Sequence, residues 1–342
     1  MAREKRETNK ELITRKSLEF SSDFNEEITK EEFITLITKC AECKSIETIS
    51  ESDIDNWYNN RFKPNVFKIS KDVYLKAMIE ALKIQFLIAG TDFGSSRQRD
   101  LGQKWSDTIR GYLGEFGVQL WFKERWKIDI DLGHEEGTLE EYLPLDIHGV
   151  KAEDDTSFRE PNLKVSIKST KSNGIWLDIP GDQFHHSDIF ILTKLIITTD
   201  HLFSFFKTIS VFEDKILRLG LDRGLLTEEV SQQIYDNIPS FKPVYGYIAG
   251  FVEYSKDYEN YSYEYSIGRT NAKIYSYSGV YEGDETLGSI KNEIIREEAD
   301  KTVNKCEFLG IGKFNNSKRY VFDMRNLRYS EEEWEDFVIN KI

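Results

Sequence analysis

Apolar residues recur at helical spacing in the first quarter of the chain, from about Lys30 to Cys43 and from Lys71 to Ile88. The second run carries Val73, Leu75, Ala77, Met78, Ala81, Leu82, Ile84 and Leu87 at this period. Residues 1–20 mix both charge signs without an apolar period and read as frayed, so 1–90 is expected to be a helical N-terminal region. Residues 91–110 are polar, with Arg97, Arg99, Lys104 and Arg110. The stretch from Gly111 to Trp126 then reads as an amphipathic helix with one acid, Glu115, beside its apolar residues.

The period next changes to that of strands, at Leu143–Val150, Leu163–Ser169 and Ile175–Pro180. Residues 181–187 read as a short helix or turn, and Asp188–Thr198 as a strand buried on both faces. Residues 200–240 return to helix, with runs at Phe212–Leu219 and Thr227–Asn237 closed near Pro239. Val244–Glu253 is a further strand. Ten of the chain's 17 tyrosines fall between 245 and 281, in a β-rich pattern. The end reads as a strand at Arg319–Met324 and a capped helix at Ser330–Val338.

With 342 residues and 39% hydrophobic content, the chain has enough apolar surface for a sizeable core. The net charge of −14 argues at first against a nucleic-acid partner. Its distribution changes that. Between 129 and 160, eleven Asp and Glu stand against Lys151 and Arg159 and supply −9 of the −14. The rest is only mildly acidic, and local basic surfaces fit within it. Three cysteines are too few for a disulfide framework and favour a reducing, cytoplasmic setting. Cys40 and Cys43 have metal-type spacing but no second pair. The most apolar stretch, 188–199, is short and broken by Lys194, so no membrane span is expected.

An acid on a helix, then Asp146 and Lys168 on successive strands, is the arrangement that carries chemistry. Phosphodiester cleavage needs a nucleophilic water near neutral pH and neutralisation of charge on phosphoryl oxygens, which carboxylate-held Mg2+ supplies. A strand-borne lysine can orient the water or stabilise the transition state. The ordered residues Gly111-Tyr-Leu-Gly-Glu115, Pro144-Leu-Asp146, Ser166-Ile-Lys168 and the apolar strand 189–197 resemble the core of the PD-(D/E)xK nuclease superfamily. The likeness runs from about Gly111 to Val252.

The resemblance implies an α/β fold with a restriction-endonuclease-like core, a mixed central sheet flanked by helices. It also implies one or two Mg2+ ions, a metal contact from the main chain of Ile167, and 5′-phosphate products. Ser166 stands where the superfamily usually has a second acid, so another carboxylate must replace the charge. Glu115 matches the helix acid of many members. Asp182, fourteen residues after Lys168, matches a variant in which a serine fills this slot, and Asp178 is a weaker third.

The organisation expected is a helical region 1–90 for DNA recognition or dimerisation, a nuclease core 91–255 with a helical insertion at 200–240, and a β-rich segment with a closing strand and helix over 256–342. The function expected is that of a cytoplasmic prokaryotic type II restriction endonuclease, a homodimer on double-stranded DNA. A repair or structure-specific nuclease and a catalytically degenerate DNA-binding module are the alternatives. Arg97, Arg99 and Lys104 are candidate phosphate contacts. Gln183 is a candidate contact to the substrate backbone, and Arg269, Asn271 and Lys273 are of the types that read base edges.

Overall fold

A computed structural model describes residues 7–41, 49–85, 100–133, 146–180, 183–255 and 319–342, and the strands 263–267, 270–276, 281–282 and 307–308 as backbone. The chain opens with three helices, α1 (Asn9–Asp23), α2 (Lys30–Cys40) and α3 (Glu51–Asn56). Each starts at a capping box, in which Thr8, Thr29 or Ser50 trades hydrogen bonds with Glu11, Glu32 or Asp53. Strand β1 (Val66–Ile69) and helix α4 (Lys71–Ile84) follow. Helix α5 (Leu101–Trp121) is next, then β2 (Ile128–Asp131), β3 (Gly149–Ala152), β4 (Val165–Lys171), β5 (Trp176–Pro180) and β6 (Ile189–Ile196). The insertion holds α6 (His201–Thr208) and α7 (Glu228–Asn237) and leads into β7 (Val244–Glu253). The Tyr-rich segment contains β8 (Tyr263–Ile267) and β9 (Thr270–Ser276). Short strands β10 (Tyr281–Glu282) and β11 (Glu307–Phe308) precede β12 (Arg319–Asp323) and the closing helix α8 (Glu331–Trp334).

The central sheet has the order β1-β7-β6-β4 and is mixed: β4 and β6 are parallel, and the other pairs are antiparallel. β6 is buried at every position, as its largely apolar run favours, and the burial includes Thr193 and Lys194. A second mixed sheet has the order β5-β12-β9-β8, with β5 and β12 antiparallel and β12 and β9 parallel. A core fills each face of the central sheet. On one face Phe190, Leu192, Tyr245 and Tyr247 pack with Phe33, Trp57 and Phe62 of the N-terminal helical region and with Leu177, Ile179, Tyr320 and Phe322 of the second sheet. On the other, Val165, Ile167, Ile191 and Ile248 pack with α4, α5 and Trp334. Phe67 fits into a slot at this level: a Cβ on Gly117 or Gly246 would come within 2.3 or 2.4 Å of its ring.

The architecture is mixed α/β, with a mixed central sheet flanked by helices, and five expectations need correction. Residues 9–20 are not frayed, because α1 is capped at Thr8 and buries Leu12, Ile13 and Phe20. The N-terminal region is not wholly helical, because Val66–Ile69 enters the central sheet against Tyr247–Val244. Helix α5 begins ten residues before Gly111, where Asp100 caps the Gln103 amide at 2.7 Å. Asp146 precedes its strand instead of ending it, since Gly149–Ala152 pairs with β2. The strand at 176–180 joins the second sheet, not the central one.

Candidate strand-edge site

Alternation along β4 decides which side chains can meet. Val165 and Ile167 face the α5 core, and Ser169 continues that face, its hydroxyl 2.9 Å from Thr193 Oγ1 and 3.4 Å from the Gly111 carbonyl. Ser166 and Lys168 take the other face, beside Phe190 and Leu192 in the parallel register with β6. β4 is the last strand of its sheet, and the segment entering from Asp146 runs along its outer edge. There the Asp146 amide donates to the Val165 carbonyl at 3.0 Å. The Asp146 Oδ2 accepts from the Ile167 amide at 2.5 Å and the Ser166 hydroxyl at 3.2 Å. Amide and carbonyl of one strand residue point to the same edge, so the Ile167 carbonyl also opens toward Asp146.

Lys168 donates to Gln183 Oε1 at 2.8 Å. Gln183 stands in the turn after β5, held in place by Phe184, which is fully buried and stacks on Phe190 and Tyr320. Gln183 is thus a partner of the candidate lysine, a role not foreseen in reading it as a contact to substrate backbone. Asp182 lies outside the described residues. The His185-His186 pair falls in this turn, where His185 Nδ1 meets the Tyr254 hydroxyl at 3.1 Å.

Glu115 is half-buried on α5, one residue beyond Gly114, and Gly114 packs directly on Ser169. One turn later Gln119 donates to the Ile130 carbonyl of β2 at 2.7 Å, so this side of α5 faces the β2–β3 hairpin. Glu115 and Lys168 therefore approach β4 from opposite faces, with Asp146 at the edge between them. Among the described residues no three His, Cys, Asp or Glu side chains converge. Asp178 alternates with the core residues Leu177 and Ile179 on β5 and points away from them.

The candidate DNA contacts are dispersed. Lys104 is a buried residue of α5, 8% exposed, and not part of an open basic loop. Asn271 and Lys273 lie on β9, the strand paired with the Tyr-rich β8. Arg97, Arg99 and Arg269 lie outside the described residues, as does Cys43. Arg110 pairs with Asp107 one turn earlier on α5. It also lies near Lys171 at the end of β4, whose ammonium is held below the ordinary lysine range first by burial and then by the Arg110 charge.

Two buried cations escaped the motif reading. Arg61 is fully buried, and its guanidinium donates to the carbonyls of Ala249 at 2.8 Å and Arg325 at 2.9 Å, and also to that of Met324. Lys194 is fully buried on β6, donates to the Gly174 carbonyl, and is held below the ordinary lysine range by burial. A lysine inside an otherwise apolar strand was the available signal for the second. No protein-family model, no curated protein sequence and no solved structure matches this chain.

Proposed function

We propose that this protein hydrolyses phosphodiester bonds of double-stranded DNA with Mg2+, as a type II restriction endonuclease working as a two-fold dimer. The observation that carries the reading is the seat of Asp146: its carboxylate lies on the main chain of β4 at Ile167, and Lys168 is the next residue. An acid beside the edge of β4 is thereby brought to the strand that carries the amine, 22 positions away in sequence. The second oxygen of Asp146 and the Ile167 carbonyl are hard donors of the kind Mg2+ takes. Glu115 from the α5 face, or Asp182, supplies the further carboxylate. Bound there, Mg2+ would neutralise phosphoryl charge and acidify a water.

The chain's own groups have distinct tasks in this reading. The Ser166 hydroxyl and Ile167 amide orient Asp146. Gln183 accepts one N–H of Lys168 and leaves the others for a phosphoryl oxygen. Lys171 adds positive charge at the far end of β4, suited to the DNA backbone. No helix among the described residues is long and apolar enough to cross a membrane.

One observation favours a second reading, a DNA-binding module with a degenerate core. Asp146 already satisfies a strand-edge amide and a hydroxyl, a capping role that needs no metal. Calorimetry with Mn2+ separates the two, because a nuclease core binds the ion and loses it on Asp146→Asn, while a capping Asp146 gives no binding in either protein. Digestion of plasmid DNA then distinguishes restriction, which gives discrete bands, from a repair nuclease, which prefers junctions or flaps.

A further inference from the structure

We propose that a second site, independent of the strand-edge site, binds an amino-substituted nitrogen heterocycle of the adenine or cytosine type. Strand β6 ends at Ile196, roughly 13 Å along the strand from Leu192, the neighbour of Lys168. There the surface forms a cleft of about 350 Å3. Ile196, Phe241, Val244 and Tyr245 give it apolar walls, and Asp200 and His201 at the start of α6 face it. Ligand sites in open α/β sheets favour this position, beyond the carboxyl ends of strands. The volume lies at the small-molecule end of the usual pocket range.

His201 is 4% exposed, and its Nδ1 is hydrogen-bonded to the hydroxyl of Tyr74, a fully buried residue of α4. The Tyr74 hydroxyl hydrogen has that nitrogen as its acceptor, because a buried O–H left unmade costs more than either tautomer of imidazole. That places the ring proton on Nε2, which bonds to no described residue, and His201 itself lines the cavity. Burial, aided by the charges of Arg110 and Lys171, pushes His201 down to about 4, so at neutral pH Nε2 offers an uncharged N–H donor. Asp200 precedes it as the N-cap residue of α6, yet its side chain makes no capping bond. The other acids on the cavity wall are engaged, Glu27 by Lys68 and Tyr245, and Glu32 by Thr29. The cavity thus presents a carboxylate acceptor and an N–H donor on adjacent residues, among walls that are mostly apolar but also include Lys242, Thr29 and Ser240.

An exocyclic amine next to an unprotonated ring nitrogen complements that pair, the amine donating to Asp200 and the ring nitrogen accepting from His201. Adenine and cytosine carry this edge. Hypoxanthine and uracil carry its reverse, a carbonyl beside a ring N–H. A site that hydrogen-bonds one edge rejects the other, because buried groups are then left facing like groups.

Calorimetric titration of the full chain with adenosine, cytidine, inosine and uridine tests the proposal. At least one of adenosine and cytidine should bind with a Kd below about 1 mM, and its oxo counterpart should bind about tenfold or more weakly. Asp200→Asn should weaken the aminated nucleoside about tenfold with an unchanged melting temperature. If that variant does not fold, the comparison of amino and oxo nucleosides on the wild-type chain decides alone. Absence of binding by both aminated nucleosides, equal binding of the oxo pair, or full affinity in a folded Asp200→Asn protein would each overturn it.

Discussion

Gly114→Ala probes the contact on which the geometry of the candidate site depends. A Cβ at 114 would lie 1.7 Å from Ser169 Oγ, 2.5 Å from Thr193 Oγ1 and 2.9 Å from Ser169 Cβ. Rotating the Ser169 hydroxyl away relieves the closest approach but gives up its 2.9 Å bond to Thr193, a loss of about 1 kcal/mol. The contact with Ser169 Cβ survives that rotation, so α5 must also retreat from β4, and overpacking of this kind costs about 1–3 kcal/mol. Alanine's better helix propensity returns about 1 kcal/mol. The balance is a destabilisation of about 1–3 kcal/mol. Chemical denaturation of Gly114→Ala, Ser169→Ala and the double variant measures it, and removing the hydroxyl should recover about 1 kcal/mol of the alanine's effect as a coupling energy. A neutral or stabilising Gly114→Ala, or strict additivity of the two changes, would refute the close packing of α5 on β4.

Three further outcomes follow from the buried polar groups. Lys194 is held below its unfolded value when folded, so the unfolded chain takes up that proton more readily. Stability should therefore rise with pH up to the unfolded lysine value, about 10.4, and denaturation of Lys194→Met should show that slope removed. His201, at about 4, binds its proton in the unfolded chain first. The stability it contributes is complete above about pH 6.5 and lost by pH 4, roughly 3 kcal/mol in all, while its ring resonances in NMR stay those of the neutral form down to about pH 5. Arg61→Met leaves the carbonyls of Ala249, Met324 and Arg325 without their donor and should destabilise by about 3 kcal/mol or more in denaturation. Arg61→Lys should not restore it, because an ammonium cannot span the same acceptors.

Local pattern made much of this fold legible. The largely apolar run of β6, the Tyr-rich ribbon at β8 and β9, the helical insertion and the capped closing helix all declare themselves within a few residues of sequence. β1 did not, since Val66–Ile69 is four residues long between helices and gains its identity from pairing with β7, some 180 positions away. The start of α5 was hidden because Asp100–Arg110 is mostly polar and at least partly exposed, and of its apolar side chains only Trp105 and Ile109 pack inward there. The pairing of β5 with β12 is equally nonlocal. At the site, spacing on β4 gave the common face of Ser166 and Lys168, which period two fixes. The face from which Glu115 approaches was not legible, because helix phase tells which residues are buried and not which side of a sheet buries them. Gln183 read only as a possible contact to substrate backbone, and its bond to Lys168 was not legible because it depends on Phe184 anchoring the turn.

The most direct test is cleavage of supercoiled plasmid DNA with Mg2+ by the wild-type chain, Asp146→Asn and Lys168→Met, each checked for an unchanged melting curve. Discrete fragments are expected from the wild type, and a loss of at least about a hundredfold in rate from both variants. Undiminished cutting by either folded variant, or an intact plasmid with the wild type across varied DNA sequences, would contradict the nuclease reading.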